Sequence, residues 1–173
     1  FLAIISSVTL GQALLKRSTG EINGFVVELP VAGGHNAPPR GKLQLDDAGE
    51  PIYGPRDEVD LEKIAALGKP FWVAGSFAYP GRLREVLDAG GQGIQVGTAF
   101  AFCDESGLDP AFRVDALRQV RAGTLSVFTD PVASPTGFPF KVVQMPETLA
   151  EQDQYEERPR VCNLGYLRSI YRR

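Results

Sequence analysis

The sequence predicts an α/β fold in which parallel strands alternate with helices. Over residues 1–103, four apolar, strand-like segments are separated by helical segments, and most connections are short. This alternation is typical of a parallel sheet with crossover helices. The four strands could form an open doubly wound sheet or half of an eight-stranded barrel. Because Phe1 already lies in a strand-like segment, and a buried strand needs ladder partners on both sides, we expect sequence to precede it, which favours the half barrel.

The composition is that of an ordinary globular domain. The 173 residues are enough for one core, with 43% apolar and 23% charged residues. A net charge of −3 argues against nucleic-acid binding through a basic face. The apolar stretches, about eight residues long, are too short to cross a membrane, which takes about 20. Cys103 and Cys162 fit neither a metal site nor a disulfide scaffold, so we expect reduced thiols, no metal and a cytoplasmic location.

The four strand-like segments have the apolar composition of parallel strands that are covered on both faces. In the first of them, β-branched residues add to this signal. The predicted strands are 1–8, 24–30, 70–76 and 93–100.

Helices are predicted between these strands from capping residues and helical apolar spacing. Thr9 is the predicted cap of the first helix, and Asp60 is the predicted cap of the second. Pro80 is predicted to open the third helix at a first-turn position that tolerates proline. The segment 38–54 interrupts this alternation. Its Asp-Asp-Ala-Gly turn between two short extended stretches predicts an inserted hairpin.

Residues 104–173 are predicted to belong to the same domain without continuing the strand–helix alternation. A helix is expected over 110–122. A proline-rich loop is expected over 131–146, and both a lid over the site and a rigid spacer fit its composition. The polar tail from Glu147 predicts a helical C-terminal extension.

The first candidate site is Gly33-Gly34-His35, directly after the second predicted strand. Active sites of barrels and open sheets form at the carboxyl ends of the strands. Glycines let the backbone approach a planar ligand closely. His35 is the only histidine of the chain, and an imidazole exchanges protons near neutral pH, so it is the candidate catalytic residue. The alternative is a surface or packed histidine with only local hydrogen bonds.

The second candidate site lies at the ends of the last two predicted strands. Ala74-Gly75-Ser76 ends the third strand and Gly97-Thr98 the fourth. Small residues at two adjacent strand ends can present backbone N–H groups to one phosphate, as in many barrels. The alternative is purely steric, because tight turns after strands also need glycine.

Three segments in this order resemble the nitronate monooxygenase (2-nitropropane dioxygenase-like) family. They are AGGHNAPPRG (32–41), GKPFWVAGSFA (68–78) and GIQVGTAFAF (93–102). FTDPVASPTGFPFKVVQ (128–144) and RVCNLGYLRSIY (160–171) are similar to a long-chain bacterial subgroup of that family. The resemblance runs over nearly the whole chain.

The resemblance implies a TIM-type (β/α)8 barrel of which this chain is the C-terminal half, strands five to eight, with a loop-rich helical extension. It implies FMN at the carboxyl ends of the strands and His35 as general base or substrate-orienting group. The implied FMN contacts are Gly33 and Gly34 near the flavin edge and, around its phosphate, Ala74, Gly75, Ser76, Gly97 and Thr98. Family members often carry Glu directly before Ala-Gly-Gly-His, whereas here residues 29–31 separate Glu28 from Ala32.

The implied reaction is FMN-dependent oxidation of an alkyl nitronate by dioxygen to a carbonyl compound and nitrite, in which the cofactor carries the redox step. One alternative is a related FMN-dependent enoyl-acyl-carrier-protein reductase that consumes NAD(P)H. Another is a non-catalytic fragment, because a half barrel has two unpaired edge strands. That fragment would need either the N-terminal half of the barrel or a homo-oligomer partner.

Overall fold

The computed structural model describes residues 1–134 and 137–159. The strands are β1 (Leu2–Ile5), β2 (Gly24–Glu28), β3 (Phe71–Ala74), β4 (Gly93–Gln95), β5 (Ser126–Asp130) and β6 (Phe140–Gln144). The helices are α1 (Val8–Arg17), α2 (Leu61–Ala65), α3 (Arg82–Asp88), α4 (Thr98–Ala101), α5 (Pro110–Ala122) and α6 (Gln152–Glu157). Within these residues, no helix combines the length and the apolar composition that crossing a membrane requires.

The first four strands form one parallel sheet in the order β1-β2-β3-β4. The predicted α/β class with a parallel sheet is therefore confirmed. Whether the sheet is half of a barrel stays a prediction. The fourth strand is shorter than expected, because it ends at Gln95 and Thr98 already begins α4.

One face of the sheet carries the hydrophobic core. Ala3, Phe25 and Phe71 are in register across three strands, as are Ile5, Val27 and Val73 two positions further on. All six side chains are buried, together with Ile64 of α2 and Val86 of α3. Since side chains alternate across a strand, Leu2 and Ile4 lie on the opposite face, where they are 44% and 58% exposed.

Two of the predicted helix starts are wrong. Ser7, not Thr9, caps α1, because its hydroxyl accepts from the N–H of Leu10 at 3.1 Å. Pro80 precedes α3 rather than opening it, and Gly81 occupies the cap with φ +87°. Asp60 caps α2 as predicted.

The predicted hairpin at 38–54 is reduced to one antiparallel bridge, between Leu45 and Pro51. Its turn is closed by Asp46, whose Oδ1 accepts from the N–H groups of Ala48 and Glu50, each at 2.9 Å. Pro51 has no N–H to offer, as is also true of the prolines at 38, 39 and 55, so the strands cannot extend.

The expectation of a loop over 131–146 is wrong for residues 140–144, which form β6, whereas the described residues before them connect β5 to β6. β5 and β6 pair antiparallel from Ser126↔Gln144 to Asp130↔Phe140 and form a hairpin. Pro131 and Pro139 lie in its connection, directly beside the strands, where proline removes no ladder hydrogen bond. The predicted helix over 110–122 is α5, with Asp109 as its cap. Cys162 and most of the expected C-terminal extension lie outside the described residues.

Candidate functional site

The three predicted turns meet at the carboxyl ends of the parallel strands. A Cβ atom placed on Gly33, after β2, would lie 3.4 Å from Oγ1 of Thr98, after β4. A Cβ atom on Gly75, after β3, would lie 3.2 Å from the backbone nitrogen of Ala32. The structure therefore brings the Gly-Gly-His turn together with both candidate phosphate turns.

The members of these turns differ in what they can present to a ligand. Ala74 and Gly75 are buried, so they shape the turn after β3 from inside. The exposed or half-buried positions are Gly33, Gly34, Ser76, Gly97 and Thr98. Around Gly34 and Gly97 a Cβ atom would meet nothing within 4 Å, so the space beside both is open.

The turn after β3 has a backbone that few residues adopt. Gly75 has φ +116° and Ser76 has φ +56°, and only one other described non-glycine residue has a positive φ. Glycine adopts positive φ freely, but in a non-glycine residue such as Ser76 this backbone costs about 1–3 kcal/mol and concentrates at functional sites. This strain is a reason to place function at Ser76 beyond the steric needs of a turn.

We expect Gly75→Ala to lower the free energy of unfolding by about 1–3 kcal/mol. The positive φ disfavours any Cβ atom, and this one would lie 3.0 Å from Cβ of Leu29. Urea unfolding measures the change. Gly20→Ala is the matched control, because nothing lies within 4 Å of a Cβ atom there and its φ is not positive. Equal stability of the two variants would contradict the strained turn.

His35 is exposed to solvent, but its ring is held by two contacts. Its Nε2 lies 2.9 Å from Oγ of Ser134, in a hydrogen bond whose donor depends on the tautomer of the imidazole. The rings of His35 and Phe140 pack edge to face, with their centroids 4.8 Å apart and their planes at 88°. His35 therefore combines access with a defined orientation.

The hairpin also holds the backbone of this turn. The N–H of Lys141 donates to the carbonyl of Gly34 at 3.0 Å, and the N–H of Asn36 donates to the carbonyl of Pro139 at 2.9 Å. Asn36 is buried, and its Nδ2 donates to the carbonyl of Ala32 at 2.6 Å, which closes the turn from inside. The Gly-Gly-His turn is thus bonded on both sides of His35, to Lys141 of β6 and to Pro139 directly before it.

A third segment supports the hairpin from its other side. The carboxylate of Glu50 accepts from the N–H of Thr129, and Nζ of Lys141 donates to Oγ1 of Thr129 at 3.0 Å. Burial lowers the pKa of Lys141, and the charge of Glu50 partly offsets that effect. The side chain of Lys141 is therefore engaged on the hairpin itself, bonded to Thr129.

Glu28, the last residue of β2, lies close enough to His35 for their charges to interact. Partial burial raises the pKa of its carboxyl group, and the charge of His35 opposes that rise. The three-residue insertion noted in the sequence therefore does not remove this carboxylate from the histidine.

The raised pKa of Glu28 has a testable consequence for stability. At a pH below the ordinary glutamate pKa, the carboxyl group of Glu28 is neutral in both the folded and the unfolded protein and does not affect the free energy of unfolding. As the pH rises through the raised pKa, ionisation of Glu28 destabilises the folded state. We expect the unfolding free energy of the wild type to fall relative to Glu28→Gln as the pH rises from the ordinary glutamate pKa of about 4.3 through the raised pKa. Urea titrations across that range measure it, and parallel curves would refute it. In a His35→Gln background the fall should be larger, because the opposing charge is gone.

A small cleft of about 180 Å³ lies beside this carboxylate. Arg40 crosses it and donates from Nη2 to the carbonyl of Ser6, after β1, at 2.6 Å. Asp57 fixes Arg40 by accepting from its N–H at 2.8 Å. The cleft is lined by Ser6, Glu28, Pro30, Ala37, Pro38, Arg40, Tyr53, Asp57 and Phe138.

A larger hollow of about 470 Å³ lies elsewhere, lined by Phe1 and residues 17–22. It sits before β1 and β2, at the amino ends of the strands. Ligand sites in parallel α/β sheets form at the carboxyl ends, so we assign the site to the smaller cleft and the turns beside it.

Several residues of the site were not found from the sequence. Ser134 and Phe140 lie in a segment that prolines made look like a loop. Asn36 directly follows His35, and the preference of asparagine for local backbone hydrogen bonds was a usable signal. Arg40 and Asp57 carried no signal, because most charged residues simply lie in water.

The fold and the site together define an α/β protein with a candidate ligand site at the carboxyl ends of parallel strands. Two solved structures of similar fold are FabK from Thermotoga maritima (TM-score 0.55, 20% identity) and a point mutant of it (TM-score 0.52, 18% identity). They cover 90% and 84% of this chain, whereas the chain spans only 42% and 40% of theirs. At these identities the likeness concerns the fold. No protein-family model and no curated protein matches the chain.

Proposed function

We propose that this chain carries the FMN-phosphate and histidine side of the active site of a flavin-dependent oxidoreductase. The observation that carries the proposal is the meeting of three glycine-containing turns at one sheet edge, with His35 oriented beside them. FabK, one neighbour in fold, is an FMN-dependent enoyl-acyl-carrier-protein reductase with a TIM barrel. That likeness and the sequence motifs both support a flavoenzyme.

The residues of the three turns fit FMN. Ser76, Gly97 and Thr98 are exposed at adjacent strand ends and would hold the FMN phosphate through backbone N–H groups and two hydroxyls. Gly33 and Gly34 would lie along the flavin edge, where the open space at Gly34 admits a flat ring. Ala74 and Gly75 would act only by shaping the turn.

The substrate that we propose is an alkyl nitronate, converted with dioxygen to a carbonyl compound and nitrite. The chemistry that FMN supplies when bound is electron transfer from nitronate to dioxygen. His35 would orient the nitro group or take the proton of the parent nitroalkane. Arg40 would supply the positive charge for an anionic substrate in a cleft that the carboxyl groups of Glu28 and Asp57 also line.

The second candidate is an enoyl-thioester reductase that uses NAD(P)H, and the fold of FabK is what favours it. The two activities consume different reactants. Oxygen uptake and nitrite release with a nitronate would support the first. Oxidation of NAD(P)H that depends on an enoyl thioester would support the second.

The visible absorption spectrum of the purified chain tests the common part of both proposals. Flavin bands that stay with the protein through gel filtration would support the FMN site. A colourless protein that takes up no added FMN would refute the site in the isolated chain. A variant with Gly97→Val, which fills the open space beside the phosphate turn, should lose the flavin, while Gly20→Val should keep it.

We further propose that the open face of the sheet is covered by the other half of a barrel. Leu2 and Ile4 are exposed there, and β1 and β4 each have one side without a strand among the described residues. The FabK chains are more than twice as long as this chain, which supports the other half of a barrel as the cover of this face. Light scattering after gel filtration tests it. A stable monomer would count against an incomplete barrel, and a dimer would indicate a second copy instead.

A further inference from the structure

Ser134 is a buried hydroxyl that contacts an exposed histidine. It is 5% exposed and lies in the connection between β5 and β6. Its Oγ lies 2.9 Å from Nε2 of His35, although 99 positions separate the two residues along the chain. The ring of Phe140 packs against the same imidazole from a second direction. The hydrogen bond and the ring contact thus leave the imidazole little freedom to rotate.

The hydrogen bond decides which ring nitrogen is available for chemistry. A neutral imidazole has one protonated nitrogen, which donates, and one unprotonated nitrogen, which accepts. With Nε2 engaged by Ser134, the nitrogen left for a substrate is Nδ1. Nδ1 can take a proton only if it carries none, so Nε2 must carry the hydrogen and donate it to Oγ of Ser134.

The hydrogen bond between His35 and Ser134 is also kept when His35 takes up a proton. When Nδ1 takes up a proton, both nitrogens become donors. Oγ of Ser134 still accepts from Nε2, so no group has to turn over while the charge forms. With the opposite tautomer, the hydroxyl of Ser134 would donate to Nε2 and would have to reorient on protonation of the ring.

We propose that Ser134 is a positioning residue for His35: it accepts a hydrogen bond from Nε2–H and leaves Nδ1 as the basic nitrogen that faces the substrate. The hydrogen bond and the tautomer stand independently of the reaction. The catalytic consequence rests on the proposed function. The two parts are therefore tested by different measurements.

The first measurement is the ¹⁵N NMR spectrum of the imidazole in the full chain. Because His35 is the only histidine, ¹⁵N-labelled histidine gives a single set of ring signals. For the neutral imidazole in alkaline solution, we expect the Nε2–H tautomer alone. Ser134→Ala should give a mixture of both tautomers, and Ser134→Thr, which keeps the hydroxyl, should restore one.

Ser126→Ala is the matched control, because it removes an exposed hydroxyl from the same hairpin. Its ring signals should equal those of the wild type. An Nδ1–H tautomer in the wild type would overturn the proposal. So would a Ser134→Ala spectrum identical to that of the wild type.

The second measurement is turnover of the neutral parent nitroalkane by flavin-loaded protein, because a nitronate has already lost the proton that His35 would take. We expect Ser134→Ala to lower kcat about 10-fold to 100-fold with little change in KM, and Ser134→Thr to regain most of the loss. Unchanged kcat in Ser134→Ala with an altered tautomer would overturn the positioning role. If no variant, including the wild type, turns over a nitronate, the proposed function fails, while the NMR result still decides the tautomer and the hydrogen bond.

Discussion

Replacement of His35 by glutamine is expected to lower turnover of a neutral nitroalkane about 100-fold to 10,000-fold, the usual range for loss of a general acid or base. Bound FMN should be retained, because the proposed phosphate contacts lie on other turns, at Ser76, Gly97 and Thr98. Glutamine keeps a polar side chain of similar length but has no group that takes a proton near neutral pH. Steady-state kinetics with parallel flavin absorbance measures both effects.

The single histidine allows an independent test of the same expectation. Chemical modification of histidine in the wild type should abolish turnover by reaction at one site. Added imidazole should partly restore turnover to His35→Gly but not to His35→Gln, which fills the space. The control is Arg84→Gln, which removes an exposed ion pair with Asp88 on α3. Turnover of His35→Gln within a few-fold of this control would show that His35 has only a structural role.

Truncation of Phe71 to alanine is expected to lower the free energy of unfolding by about 3–5 kcal/mol, the usual cost of removing a buried ring. Phe71 is 1% exposed, pairs in register with Phe25 and lies in the centre of the core cluster. A domain of this size is stable by about 5–15 kcal/mol, so this variant would lose a large part of its stability. Urea unfolding followed by the fluorescence of Trp72, the only tryptophan, measures it.

Phe100→Ala is the matched control, because the same ring is removed from a side chain that is 69% exposed. We expect a change within about 0.5 kcal/mol there. If Phe71→Ala does not fold, the milder Phe71→Leu keeps the test open with an expected loss of about 1–2 kcal/mol. Equal effects at positions 71 and 100 would mean that the core does not lie on this face of the sheet.

The parallel sheet could be predicted from the sequence, because each of its buried strands is a contiguous apolar segment. Phe25 and Val27, for example, are completely buried, and no competing local signal obscures such strands. The placement of the glycine turns at one edge followed from the topology of parallel strands. The cap of α1 was missed by two residues, because serine and threonine both favour the cap position and the stronger preference of Ser7 was not used.

The hairpin could not be predicted, because its local signals contradict its structure. Pro131 and Pro139 are strong signals for a loop, yet both flank the paired residues. Its partner in the site, the Gly-Gly-His turn, lies about a hundred residues earlier, beyond the reach of any periodicity. The contacts of His35 with Ser134 and Phe140 are therefore tertiary information.

The bonding of the Gly-Gly-His turn to β6 sets an order in which the site can mature during synthesis. The strand that leads into His35 is made early, but the hydrogen bonds from Asn36 to Pro139 and from Lys141 to Gly34 form only after residue 141 has emerged from the ribosome. Translation adds about 5–20 residues per second, so the nascent turn stays without these bonds for several seconds. A polypeptide that ends before the hairpin would therefore contain all four parallel strands but lack these two bonds to the turn that carries His35.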